Sequence, residues 1–352
     1  MCIRDRLGTE ALAATGMGSM IFWGALSLAI GIRTAVQTVT ARRLGQGLHK
    51  ESGMALRNGL ALATLYSLPT SFFVWKYSDS LARFFIEDPS ATPLTTDYVS
   101  IVFTGLLFSS YSFVFQGFFT GIEKTKIHMK VTVVSNVLNV YLNAGLIYGS
   151  SGVQEFFNEQ LSILSFLSYL WTWANFPALG VKGAAIGTLI SSFWMAAHYA
   201  VSLLSKQTSE RHSVFRFSFD KEMMKRQVQL ALPQGLQESV IALGWGVFYK
   251  IVGIIGLVEL ATTELLFTIM HASFMPAMGV GQACSTLVSK YMGQGRIKKS
   301  ETSIRESVRI AEYIMAPIGL TFILLPDFYL HIFTNDLKVI NTILSSAKKI
   351  RS

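Results

Sequence analysis

A carboxylate is costly in apolar surroundings, and Glu238 sits near the centre of the apolar run 229 to 253. At 100° per residue Gln234, Glu238, Ile241, Trp245 and Tyr249 fall within about 80° of one another on one helix face. A carboxylate beside aromatic rings suits an organic cation through charge and cation–π attraction, and the same group can bind a coupling ion. The structural alternative is a Glu paired to a neighbouring helix. Pro233, five residues earlier, is expected to bend the helix and free carbonyls. A second stripe joins Thr132, Asn136, Asn139 and Asn143 within about 60°. Its carboxamide oxygens can ligate a hard cation or bond neighbouring helices, and the residues alone leave both open. Glu264, about one turn inside the outer end of its run, has interfacial and cavity readings. Arg33 and Lys250 are expected to snorkel to the nearer surface, and Met270, Met275 and Met278 to serve packing before any substrate wall. His128, His198 and His271 stand alone, and Cys2 and Cys284 lie in different contexts, so no metal-ligand pattern and no disulfide framework is present.

These residues need elements that place them at depth. Hydrophobic residues make up 51% of the 352 and charged residues 14%, against about 25% charged in ordinary soluble domains, so charge cannot cover a water-facing surface. Eight runs are long enough to span a bilayer: 11 to 38, 56 to 75, 98 to 119, 131 to 148, 183 to 204, 229 to 253, 260 to 288 and 308 to 331. They are expected to be helices, since lipid offers the backbone no hydrogen-bond partner and the alternation of a barrel is missing. None reads as a signal peptide. Connections one, three, five and seven carry four, three, six and six basic residues, against four in all the even-numbered connections with the helix ends that border them, and four in the stretch after helix eight. That bias puts the odd connections in the cytoplasm, and explains the net charge of +9 without nucleic acid.

At an offset of 248 residues the first and seventh runs align without gaps. Gly31 meets Gly279, Ala35 meets Ala283, Thr38 meets Thr286, Gly45-Gln46-Gly47 meets Gly293-Gln294-Gly295, and Arg57 meets Arg305. Both copies run from outside to inside, so the halves are expected to be parallel repeats. At the same offset the partner of helix six would precede residue 1, and those of helices three to five would fall around 346 to 367 and beyond, past Ser352. The expectation is therefore a fragment of two six-helix bundles, with eight of twelve helices visible. The Gly-Gln-Gly loops lack the strand and the Lys-Ser/Thr of a phosphate cradle and read as glycine helix ends.

The sequence resembles the multidrug and toxic compound extrusion family. The resemblance is carried by Leu7-Gly-Thr-Glu-Ala-Leu-Ala-Ala14, Arg43-Leu-Gly-Gln-Gly47, Gln116-Gly117 with Gly121, Asn136 and Asn139, Leu179-Gly-Val-Lys-Gly-Ala-Ala-Ile-Gly-Thr188 and Pro276-Ala-Met-Gly-Val-Gly-Gln-Ala283. It implies a V-shaped, twelve-helix antiporter that exchanges Na+ or H+ for cationic organic compounds. It also implies an N-lobe cation site at Asn139 and Asn143, helped by Thr188. Asn143 often has an Asp counterpart in the family, and the family's first-helix Asp falls before residue 1, which leaves that site incomplete here. Residues 150 to 177 exceed the family's usual outer connection and read, with Trp171 and Trp173, as an interfacial amphipathic helix.

The expectation is thus an all-α polytopic membrane protein with an N-terminal lobe at 1-205, a cytoplasmic linker at 206-227 and a C-terminal lobe at 228-352. It acts as a monomeric antiporter in the bacterial inner membrane, with small organic cations as substrates, lipid around it, Na+ or H+ as coupling ion, and no cofactor, resident metal or catalytic residue. Transient Na+ could sit at Asn139, Asn143, Thr188 or Glu238. A lipid-linked oligosaccharide flippase is the nearest alternative and calls for several cations inside the cavity. An intramembrane enzyme calls for clustered His, Asp or metal ligands, which the sequence does not supply.

Overall fold

The computed structural model describes residues 9–85, 89–160, 162–216 and 218–325. Among these, regular structure is helical throughout. The helices are α1 (Thr9–Gly45), α2 (His49–Phe85), α3 (Ala91–Thr104), α4 (Leu106–Gly121), α5 (Thr125–Gln160), α6 (Tyr169–Thr172), α7 (Gly180–Leu203), α8 (Lys206–His212), α9 (Lys221–Ile255), α10 (Leu257–Gly293) and α11 (Ile297–Leu324). A 3-10 helix, Ser162–Ser168, precedes α6. Each of the eight apolar runs lies on these helices, with the third shared by α3 and α4; the stretch 326 to 331 of the last lies outside the described residues. By length and composition alone, three described helices can cross a membrane, or four if the α3–α4 pair, bent by 47°, is one span.

Residues 1–239 and 240–352 form two compact units, and the boundary falls inside α9. In the first, α1 packs against α2, α3 and α4, and α5 packs against α7. Lipid removes the hydrophobic drive between helices, so close fit and interhelical hydrogen bonds must hold them. Both are present. A Cβ at Gly117 would fall on the carbonyl oxygen of Arg33, so α4 touches the α1 backbone directly. Ala231, Gly235 and Ser239 of α9, four apart, meet Ser27, Leu28 and Gly31 of α1: a Cβ at Gly31 would strike the Ala231 carbonyl, and the Ser27 and Ser239 hydroxyls lie 2.7 Å apart. Tyr66 donates to the Ala25 carbonyl at 2.5 Å, and Ser71 to that of Phe103 at 2.7 Å. Phe103, Phe118, Phe119 and Tyr199 are the largest side chains sealed in the interior. In the second unit α10 packs on α11.

The loops at the two Gly-Gln-Gly sequences have one geometry. Helices α1 and α10 both end on the first glycine, and the third residue of each motif has φ of +78° at Gly47 and +70° at Gly295. Gln46 N donates to Arg42 O, Gly47 N to Leu44 O and Leu48 N to Arg43 O; Gln294 N, Gly295 N and Arg296 N donate likewise to Lys290, Met292 and Tyr291. Left-handed φ is what makes glycine the residue for this turn. Helices α1 and α10 end, and α2 and α11 begin, at the same 248-residue offset.

Pro233 lies within the continuous helix α9. Two local expectations are corrected. The outer connection is not one amphipathic helix: α5 breaks at Gly149 (φ 72°, ψ 168°), and beyond the break the chain forms a helical arm to Gln160, the 3-10 turn and the four-residue α6. Trp171 turns inward, donating from Nε1 to Tyr141 O at 2.8 Å and lying against the Tyr141 and Phe157 rings, while Trp173 alone stays out at 87% exposure. Ser150 ties the arm to this strap, donating to Trp171 O and accepting from Phe176 N.

The stretch after α7 is clamped to the first unit. Arg57 reaches the carbonyls of Ser213, Val214 and Ser218 and the Ser218 hydroxyl; Asn58 donates to Asp220 O, Gln227 to Ala55 O, and Lys124 to Thr208 Oγ1. His212 Nδ1 donates to His49 O at 3.2 Å. Burial pushes His212 down to about 4; its bond to the His49 carbonyl opposes this, and the positive neighbours His49, Arg211 and Lys124 add to it.

This packing makes two outcomes testable. Gly117→Val should lower the melting temperature of the purified protein by several degrees, since overpacking costs about 1–3 kcal/mol, whereas Gly24→Ala, with open space around it, should leave it unchanged. The folded pKa of His212 lies below its unfolded value, so the docked linker is fully stabilised above pH 6.5 and weakens as pH falls toward 4. At pH 5 the loss should be about 2 kcal/mol, read as faster amide hydrogen exchange over 206–216 after correction for intrinsic rates. His212→Gln should remove the pH dependence.

Candidate functional site

In the first unit the carboxamide stripe separates. Asn136 is exposed. Asn139 and Asn143, one turn apart on α5, are joined by a hydrogen bond from Asn143 Nδ2 to Asn139 Oδ1 at 3.1 Å. The remaining oxygen, Asn143 Oδ1, is buried without a partner and lies against Gly187 of α7, where a Cβ would overlap it. Thr188, the next residue, donates to its own helix at Ala184 O, 2.9 Å away, which leaves its oxygen lone pairs available. A buried oxygen with no donor is costly, and a small cation is one way to satisfy it. Neutral carboxamides and hydroxyls do not titrate near neutral pH, so this arrangement can hold Na+ but not a proton.

The inner half of α9 places Gln234 and Glu238 in the same unit, with Gln234 Nε2 donating to Glu238 Oε1 at 3.1 Å. Arg33 of α1 interacts electrostatically with this carboxylate. Contrary to the expectation, Arg33 does not snorkel: its guanidinium lies 5.9 Å from the Phe113 ring centroid, and its Nε is buried with no partner. His128 is not alone either. Its Nδ1 lies 2.6 Å from the Tyr199 hydroxyl and 3.1 Å from Thr132 Oγ1, and its Nε2 lies 3.0 Å from Gln116 Nε2. Only the His128–Thr132 pair, four apart on one helix, can be read from spacing; Gln116 and Tyr199 come from other helices.

In the second unit Trp245 and Tyr249 join an aromatic cluster. The Trp245 ring centroid is 4.4 Å from that of Phe267, edge to face, and Tyr249 is 6.1 Å from it. His271 stacks on Phe267 at 5.9 Å, four residues on along α10. Sequence reasoning does not reach Phe267 and His271, because neither lies on the α9 stripe. Trp245 remains 37% exposed, so a ring face is open to a ligand. Glu264 lies on α10, but its side chain is outside the described ones. Among the described residues no group of His, Cys, Asp and Glu could hold a resident metal.

The MatE family model matches residues 1–144 and 242–348, well over half of the chain. The chain belongs to the MatE family. A probable multidrug resistance protein NorM of Thermotoga maritima is 23% identical over 335 residues, covering 94% of this chain and 66% of that protein. The multidrug resistance protein NorM of Burkholderia vietnamiensis is 24% identical over 334 residues, covering 93% and 66%. This MatE chain thus spans 66% of the length of these curated relatives. Two solved structures share its fold. One, described as the outward-facing conformation of a multidrug resistance MATE family transporter of the MOP superfamily, has a TM-score of 0.81 at 22% identity and covers 98% of this chain and 71% of its own. The other, a MOP superfamily transporter from Pyrococcus furiosus described as having a binding pocket of reverse polarity, has a TM-score of 0.80 at 21% identity and covers 96% and 69%. Both solved structures are described as transporters.

The orphan oxygen gives a direct test. Asn143→Leu deletes an unsatisfied buried acceptor but also the donor to Asn139 Oδ1, so it should change the melting temperature in choline chloride by a few degrees at most. It should also abolish the rise expected when sodium replaces choline, because only a ligand that binds the folded state stabilises it. An equal sodium effect in Asn143→Leu and wild type would place the ion elsewhere.

Proposed function

We propose that this protein is a secondary active antiporter of the inner membrane that exports organic cations in exchange for Na+ or H+, by alternating access of two lobes. The lobes are 1-205 and 228-352, joined by the linker 206-227, and all eight apolar runs cross the membrane. The matching geometry at the two Gly-Gln-Gly turns, and the family model's match in two stretches, support parallel repeats. The relatives named for multidrug resistance support the substrate class.

Glu238 carries the proposal. It is an acid within an apolar run, hydrogen-bonded to Gln234 on its own helix, with no salt bridge of 4 Å or less among the described residues. Such a carboxylate attracts both an organic cation and a coupling cation, and their competition is what exchange requires. The aromatic cluster of the second unit supplies ring faces for flat cations. Arg33 is the observation that favours a lipid-linked flippase, since it brings a cation inside; one Arg within reach of a Glu is fewer than the several cations that phosphates require.

Glu238→Gln keeps the size and the bond to Gln234 but removes the charge. Ethidium efflux from vesicles driven by an imposed sodium or proton gradient should fall at least about tenfold, with membrane expression matched by blot. Trp245→Ala should weaken substrate binding by about 0.5–2 kcal/mol and spare ion-dependent stabilisation. Wild-type efflux in Glu238→Gln under both gradients would make Glu238 structural.

A further inference from the structure

We propose that His128 is a proton-binding site of the first unit, held between Tyr199, Thr132 and Gln116, with the Gln116 amide turning over so that its oxygen accepts a hydrogen bond from the protonated Nε2. The site is built from three helices: His128 and Thr132 on α5, Gln116 on α4 and Tyr199 on α7. Tyr199 is 1% exposed, stacks on Phe119 at 5.8 Å and lies nearly coplanar with the His128 ring, with 14° between the planes and the hydroxyl at the Nδ1 edge, so the imidazole is fixed in orientation.

With Gln116 Nε2 facing His128 Nε2 at 3.0 Å, the amide donates and the ring nitrogen accepts, so the neutral ring carries its hydrogen on Nδ1. That hydrogen points to the Tyr199 oxygen at 2.6 Å. Protonation adds a hydrogen at Nε2, which then needs an acceptor. The Gln116 amide supplies one by a half-turn that exchanges its nitrogen for its oxygen, two atoms of nearly equal size. The Nδ1–H bond to Tyr199 stays as it is. Both protonation states are therefore satisfied in one side-chain framework, whereas a His kept for packing needs only one.

The charged groups facing the ring are few. Burial of the ring is the first thing that opposes its charge; from α1 comes Arg33, which adds to that; from α7 comes the Tyr199 phenol; α4 offers only the neutral amide. Glu238 of α9 acts on Arg33 and offsets it. A proton on His128 and a cation at Glu238 are thus two positive charges sharing the field of one guanidinium, and each weakens the other. The place of this competition in transport rests on the antiporter proposal. The site itself does not, because a titration needs neither substrate nor gradient.

The test is an NMR titration of purified protein carrying 13C- and 15N-labelled histidine, with the His128 signal assigned by its loss in His128→Gln. His128 should titrate reversibly within roughly pH 4.5 to 8.5. Gln116→Met, which offers Nε2–H no oxygen, should lower the midpoint by about one pH unit, and Gln116→Glu should raise it. Arg33→Met should raise it by a similar amount, and Glu238→Gln should lower it. A His128 that does not titrate across that range, or a midpoint that none of the folded variants moves, would overturn the proposal.

Discussion

A peptide or side-chain polar group in hydrocarbon has no water to bond, so it must find its partner inside the protein. Everything else in this chain depends on that constraint. It makes the described residues helical, and it moves the cohesive force from burial to close approach and interhelical hydrogen bonds. The contact of Gly31 with the Ala231 backbone and the Tyr66–Ala25 and Ser71–Phe103 bonds are how the first unit meets it. The same constraint gives meaning to the exceptions. Asn143 Oδ1 and Arg33 Nε are among the buried side-chain atoms left without a hydrogen-bond partner, as Ser135 Oγ and His198 Nδ1 also are, and they stand out by lying beside Thr188 and Glu238 respectively.

The polar interior of the first unit divides by chemistry. Asn139, Asn143 and Thr188 present neutral oxygens, suited to a hard cation and indifferent to pH. Glu238 and His128 both interact with the fixed positive charge of Arg33, and His128 can take up a proton. A transporter driven by Na+ would use the first set, and one driven by H+ the second. The two sets can be altered independently, residue by residue.

The helices are legible in the sequence because run length and the need for internal hydrogen bonds decide them, and the break at Gly149 falls where the fourth apolar run ends. The Asn139–Asn143 and Gln234–Glu238 pairs are legible because four-residue spacing on a helix is contact. Spacing does not say which helix stands opposite. Tyr199 and Gln116 meet His128 from other helices, and Phe267 meets Trp245 from the next helix. Arg33 misleads because a long cationic side chain can snorkel; a ring at Phe113 holds its head inside instead. Trp171 misleads because aromatics in an outer connection usually mark the interface, and here Tyr141 supplies an inner partner.

The proposed duplication organises the rest, since parallel copies must carry their two Gly-Gln-Gly turns to the same side of the membrane. Ser52 and Ser300 are buried, but Gln46, Gln294 and Ser90 are exposed and suit labelling. In intact cells expressing a variant without Cys2 and Cys284, single cysteines at positions 46 and 294 should both be protected from an impermeant thiol reagent, while one at position 90 should react. Labelling of 46 or 294 alone would place the two turns on opposite sides and contradict parallel repeats.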